Sequence, residues 1–165
     1  MEKRTYLAVL FFFLFLLPCF SQQDSSLIKF SDLTFKNDSE KDALVKYNET
    51  NNKADLFDLL FVSYDKSVIG NKTKATQKID DCVVVLKKSI SDKSEAKKVK
   101  IIYDYVHKEF LKVYKLKNSF IDIFEAGEYN CVSASALYAI VFSKLEIPYQ
   151  IKETPTHVYL IAYPN

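Results

Sequence analysis

Asn130-Cys131-Val132-Ser133-Ala134-Ser135-Ala136-Leu137-Tyr138 is followed, 26 positions after its cysteine (131 to 157), by His157 within Thr156-His157-Val158-Tyr159-Leu160. Ala134, Leu137, Tyr138, Val141 and Leu145 recur at the spacing of one buried helix face, and Asn130 suits an N-cap. Cys131 then falls in the first turn, where unpaired N–H groups and the helix dipole favour negative charge, so a thiolate is stabilised there. Ile147-Pro148 ends the helix. Tyr149 to Thr154 alternates as a strand, Pro155-Thr156 makes a short connection, and His157 to Tyr163 reads as a second strand. The two form a hairpin.

Period-two alternation puts His157, Tyr159 and Ile161 on one face of that hairpin and Val158, Leu160 and Ala162 on the other. Both faces are apolar, so both are expected to be covered, one of them by the cysteine helix. A helix packed across the hairpin would bring His157 towards Cys131. That is the nucleophile and base pairing of covalent acyl transfer.

At these residues the chain resembles the transglutaminase-like superfamily, relatives of the papain-like cysteine peptidases, and most of all its exported bacterial members. The resemblance rests on Cys131 at a helix start, the helix exit Leu145-Glu146-Ile147-Pro148, and His157-Val158-Tyr159 opening a strand, and it spans residues 95–165. It implies a Cys131 nucleophile, a His157 general base, a peptide or protein substrate, and no cofactor. The family has glycine where Glu146 stands; a non-glycine residue in a left-handed helix exit costs about 1 kcal/mol. The family's third residue, an acid on the next strand, has no counterpart before Asn165. Pro164-Asn165 is turn chemistry at the end of a strand, which leads us to expect either the front part of a longer protein or a shortened member of reduced activity.

The other end of the chain carries an address. Glu2-Lys3-Arg4 precedes an apolar run from Tyr6 to Leu17, and small residues stand at Cys19 and Ser21. These are the parts of a signal peptide over residues 1–21, with export to the periplasm or the medium as the expected outcome. The run is too short to span a bilayer, which takes about 20 residues. Lipoprotein anchoring through Cys19 is the lesser alternative, disfavoured by Pro18.

The 165-residue chain has 23 Lys plus Arg and 21 Asp plus Glu, a formal charge of +2. Loss of Glu2, Lys3 and Arg4 with the leader lowers that by one. This balance argues against nucleic acid or an anionic membrane as partner, and against stable membrane insertion once the leader is gone. Arg4 is the sole arginine, so the rest of the chain offers no guanidinium fork for phosphate or carboxylate. Gly70 and Gly127 are the only glycines, too few for a phosphate-cradling loop.

Between leader and core we expect a helical region, residues 22–94. Leu27 to Phe35 reads as a short strand, Ser39 to Tyr47 and Lys53 to Tyr64 as paired helices with Leu56, Leu59, Leu60 and Tyr64 striped on the second. Gly70-Asn71 reads as a turn. Lys72 to Ser89 is a helix whose apolar face includes Cys82, best read as a small core thiol rather than as half of a disulfide with Cys131. Glu95 to Tyr114 reads as one long helix bearing Val99, Ile102, Tyr103, Val106, Phe110 and Val113. His107 borders that stripe without a companion ligand, so it reads as a rim histidine and not a metal site. Phe120 to Phe124 reads as a short strand or lead-in.

The expected fold class is therefore α+β, N-terminal helices followed by a core in which a cysteine-bearing helix packs on an antiparallel hairpin. An acyl-transfer enzyme also needs oxyanion donors. The Cys131 N–H is one, and the side chain of Tyr129 or Asn130 is a candidate for the second. The alternative function is a non-catalytic module of the same fold that binds peptide or wall material. In the plainest reading, Cys131 is a small core residue and His157 a satisfied strand histidine.

Overall fold

The computed structural model describes residues 30–49, 56–62 and 69–164. The expected leader and the Cys19 alternative lie outside them. The chain divides into two compact units, Met1–Thr34 and Phe35–Asn165. In the first, the described residues contain a 3-10 turn, Phe30–Asp32, where a strand was expected.

The second unit is α+β. It runs α1 (Asp38–Glu49), α2 (Leu56–Val62), α3 (Ile69–Ile90), α4 (Glu95–Glu109), β1 (Val113–Tyr114), α5 (Asp122–Glu125), β2 (Glu128–Tyr129), α6 (Cys131–Lys144), β3 (Tyr149–Thr154) and β4 (His157–Ala162). Local chemistry sets several of these ends. Asn37 accepts from the Glu40 N–H at 2.9 Å, so α1 opens one residue before the expected Ser39. α1 and α2 pack together, as expected of a pair. On α2, however, Phe57 and Phe61 are buried while Leu59 and Leu60 are only half-buried. The aromatic pair buries more apolar surface than the leucines would, and packs edge-on against Phe120. The Leu56 and Tyr64 side chains lie outside the described part. α3 begins at Ile69, so Gly70-Asn71 forms its first turn and not a loop.

α4 stops at Glu109, and the expected continuation to Tyr114 is instead a parallel two-residue ladder of β1 with β2. The reason is Gly127. Its carbonyl takes the N–H groups of Lys112 at 2.8 Å and Val113 at 3.0 Å, and Tyr129 takes that of Lys115 at 2.8 Å, which competes with further helix. Gly127 has φ +70, and a Cβ there would stand 2.5 Å from Lys112 Cγ. Only glycine fits. Phe120 to Phe124, expected as a short strand or lead-in, leads instead into the short helix α5, and the Ser119 N–H and hydroxyl ahead of it both donate to Asp122 Oδ2.

α6 is the central element. No charged residue precedes Lys144 on it, and Ser133, Ser135, Leu137, Ala139, Ile140, Val141 and Phe142 are all buried. A helix apolar all round has to be covered on several sides. α3 packs on it from one direction, β4 from another, with β3 the outer strand. Lys144 meets Asp80 of α3 at 3.0 Å. The helix ends as expected in a left-handed residue, Glu146 at φ +58. The Ile147 N–H reaches the Phe142 carbonyl at 2.9 Å and the Glu146 N–H that of Ser143 at 3.1 Å. These paired bonds, with buried Ile147 against buried Phe142, form a Schellman exit.

The expected boundary between residues 22–94 and 95–165 does not divide the core. Buried residues from Phe57 through Ile90 and from Ile102 through Ile147 form one continuous cluster, because α3 packs both on α4 and on α6. Cys82 is part of it, a free thiol 2% exposed. Among the described residues no helix is long and apolar enough to cross a membrane.

Candidate active site

Asn130 is the N-cap of α6. Its Oδ1 accepts from the Ser133 N–H at 2.9 Å while Ser133 Oγ accepts from the Asn130 N–H at 3.0 Å, a reciprocal capping box. Asn118 braces this corner: its Oδ1 accepts from Ser133 Oγ at 2.6 Å and its Nδ2 donates to the Glu128 carbonyl at 2.7 Å. The first turn is thereby fixed, with half-buried Cys131 as its first residue. The cap uses the Ser133 N–H and leaves aside the Cys131 N–H that an oxyanion would need.

The hairpin has the expected register. Two residues, Pro155-Thr156, join the strands, Thr154 pairs with His157 and Tyr149 with Ala162. Thr154 Oγ1 donates to the His157 carbonyl at 3.1 Å and closes the turn. β4 meets α6 through Val158, Leu160 and Ala162. Ser135 Oγ donates to the Val158 carbonyl at 3.1 Å. The opposite face is open rather than covered: His157 is exposed, as are Tyr159 (41%) and Ile161 (37%). The single layer of helix supplies cover for one face only. The His157 ring stacks on Tyr159, with centroids 6.1 Å apart.

Cys131 and His157 line the same cavity, of about 340 Å³. Its other walls are Tyr129 of β2, Tyr138 of α6, and Tyr103 and His107 of α4. Volumes of roughly 300–1,000 Å³ are usual for clefts that take small ligands. Among the described residues no carboxylate, lysine or arginine lines it. Tyr138 donates its hydroxyl to the Tyr103 carbonyl at 3.4 Å. Burial, then the neighbouring Tyr103, Tyr129 and Asp104, push that phenol well above the usual tyrosine range, so it is protonated at neutral pH.

Of the two side chains expected as oxyanion donors, Tyr129 lines this cavity and Asn130 does not. Asn130 donates to the carbonyls of Leu116 at 3.2 Å and Asn118 at 3.4 Å, which commits its amide to the cap and the preceding loop. It faces a different hollow, with Leu59, Leu60 and Phe120. A residue that cannot both cap and turn to substrate is removed from the donor set.

His107, expected as a rim histidine, is the residue whose place in the cavity wall the sequence does not disclose. It is half-buried inside the cavity, 4.2 Å from the Tyr103 ring, 6.2 Å from that of Tyr129 and 6.4 Å from that of Tyr138, between centroids. The signal was available: Tyr103 and His107 are i and i+4 on one helix, hence neighbours on one face. Among the described residues no group of three His, Cys, Asp or Glu side chains is placed to hold a metal ion. Comparison with known proteins finds no matching family model, no curated relative and no solved structure of similar fold.

Proposed function

We propose that the protein is an exported, transglutaminase-like cysteine acyl-transfer enzyme acting on amide bonds of peptides or proteins. The observation that supports this most directly is that Cys131, in the first turn of α6, and His157, the first residue of β4, line one cavity. In this reading His157 takes the Cys131 proton, and the thiolate sulfur attacks the amide carbonyl carbon. The carbonyl electron pair moves to oxygen, where the Cys131 N–H and the Tyr129 side chain are the donors for the oxyanion. Collapse of the tetrahedral species breaks the C–N bond, the His157 imidazolium returns its proton to the leaving amine, and a thioester remains on Cys131. Water then yields an acid, or a second amine yields a new amide; His157 takes the proton from either.

The alternative reading, a non-catalytic module of the same fold that binds peptide or wall material, draws support from one specific feature. Among the described residues no carboxylate lines the cavity to fix the tautomer and orientation of His157, the task usually given to an acid in such sites. The two readings separate in the rate of Cys131 alkylation by iodoacetamide across pH 5–10, followed by mass spectrometry of the Cys131 peptide. For the enzyme, His157→Ala slows alkylation at pH 7 about tenfold and moves the profile to higher pH, while the far-ultraviolet spectrum stays unchanged. Equal rates with and without His157 remove the catalytic pairing and leave the binding module.

A further inference from the structure

The cavity beside Cys131 has an unusual lining for its size. Besides Phe142, His157 and Tyr159, five of its rings come from four elements: Tyr103 and His107 from α4, Tyr114 from β1, Tyr129 from β2 and Tyr138 from α6. They touch one another as a continuous wall. Tyr103 and Tyr138 lie nearly parallel with centroids 6.4 Å apart, His107 stands edge-on to Tyr129 at 6.2 Å, and Tyr114 is perpendicular to Tyr129 at 5.6 Å. Tyr103 is 53% exposed and Tyr114 55%, so two of these rings spend apolar surface on an open hollow instead of the core. The core has its own aromatic set, Phe57, Phe61, Phe120 and Phe124, which packs without them.

Among the described residues the same wall carries no carboxylate, lysine or arginine. A carboxylate or ammonium entering here would shed water and meet no opposite charge, which is costly. A flat uncharged ring loses little on leaving water and gains offset and edge-to-face contacts, about 0.5–1.5 kcal/mol per pair beyond burial. The phenols and the His107 imidazole add hydrogen-bonding tips at the edge of the wall, where a hydroxyl on the guest ring would find a partner.

We infer that this hollow is the acyl-donor side-chain subsite of Cys131, and that it selects a peptide with an uncharged aromatic residue, phenylalanine or tyrosine, beside the amide bond to be broken. The subsite role rests on the acyl-transfer reading of Cys131. Selection arises because the aromatic wall is contiguous with the thiol: the ring that fills the hollow positions the neighbouring carbonyl at the start of α6. Acidic and basic residues at the same place are refused by desolvation.

The test is protection of Cys131 from iodoacetamide at pH 7 by N-acetylphenylalaninamide, N-acetyltyrosinamide, N-acetylaspartamide and N-acetyllysinamide. The first two are expected to slow alkylation at least fivefold at saturation and the charged pair less than twofold. Tyr103→Ala, whose exposed side chain can be lost without opening the core, is expected to raise the concentration for half protection about tenfold. Equal protection by all four, or by none, overturns the proposal. Preferential protection by the lysine amide also overturns it, in favour of a cation cage. The same series run in His157→Ala separates the two claims. Aromatic protection that survives there, with an alkylation rate indifferent to His157, leaves an aromatic-binding hollow and sinks the enzyme. Strong dependence on His157 without aromatic protection sinks only the subsite.

Discussion

Ser135, one turn along α6 from Cys131, donates its hydroxyl to the Val158 carbonyl at 3.1 Å, and Val158 is the residue after His157. One side-chain bond therefore joins the helix of the thiol to the strand of the imidazole. Ser135 is 7% exposed, so its loss also leaves the Val158 carbonyl without that donor. Ser135→Ala is expected to cost about 1–2 kcal/mol in urea unfolding. If the proposed pairing holds, it also blunts the effect of His157→Ala on Cys131 alkylation, because the strand is no longer held in place. Unchanged stability and unchanged alkylation would show the bond to be idle.

Gly127 is the second point on which the site depends. At φ +70, with Lys112 Cγ 2.5 Å from the place of a Cβ, alanine meets both a left-handed backbone penalty and a clash. Gly127→Ala should destabilise by at least about 1–2 kcal/mol, measured by chemical denaturation. A cost below about 0.5 kcal/mol would mean that the Lys112 stem simply moves aside.

Glu146 predicts the opposite sign. It occupies the left-handed position of the Schellman exit at φ +58, where glycine carries no steric penalty. Glu146→Gly should raise stability by up to about 1 kcal/mol, the relief of backbone strain being partly offset by a more flexible unfolded chain. A thermal melt decides it, and a lowered midpoint would contradict the reading.

These three positions also show what a sequence discloses. The helix from Cys131, its left-handed exit and the hairpin register are all contiguous and periodic, so local spacing reveals them before any tertiary contact is known. The parallel pairing of Val113 and Tyr114 with Glu128 and Tyr129 is two residues long and made across a glycine, and no periodicity announces it. Five apolar or acidic residues at Phe120 to Phe124 suit strand and helix equally, and the bonds that Ser119 donates to the Asp122 carboxylate, which turn the chain there, decide between them. The place of His107 in the cavity wall is hidden for a related reason: helix spacing shows which residues share a face but not that the face borders a hollow. For His157 and Tyr159 alternation was right about the face and silent about whether anything covers it. The polar brace of Asn118 left no trace in spacing at all.

Cys82 carries the pH prediction. Its thiol, ordinarily ionising at 9.0, is pushed up to about 12, first by burial and then by the nearby Glu109 carboxylate. The folded value exceeds the unfolded one, so the unfolded chain gives up its proton first. The thiol's contribution is intact below about pH 9 and is lost between pH 9 and pH 12, by up to about 1.4 kcal/mol per pH unit. Urea unfolding at pH 8, 9.5 and 10.5 should show a shallower alkaline decline in Cys82→Ala than in the parent, after allowance for a small constant cost near 1 kcal/mol for the lost packing. In the native protein Cys82 should resist iodoacetamide at pH 7 under conditions that label Cys131. Parallel declines, or rapid labelling of Cys82, would contradict its burial.

The hairpin that presents His157 follows the cysteine helix with only Leu145 to Pro148 between them. That short link joins the helix to β3, whereas Cys131 itself stands 26 positions before His157, and 24 and 28 positions after His107 and Tyr103. Closing the chain between Cys131 and either side of the cavity therefore carries nearly the same entropic cost, because that cost grows only with the logarithm of the loop length. Chain connectivity gives neither side precedence: the strand that carries His157 and the helix that carries Tyr103 and His107 have equal claim to reach α6 first.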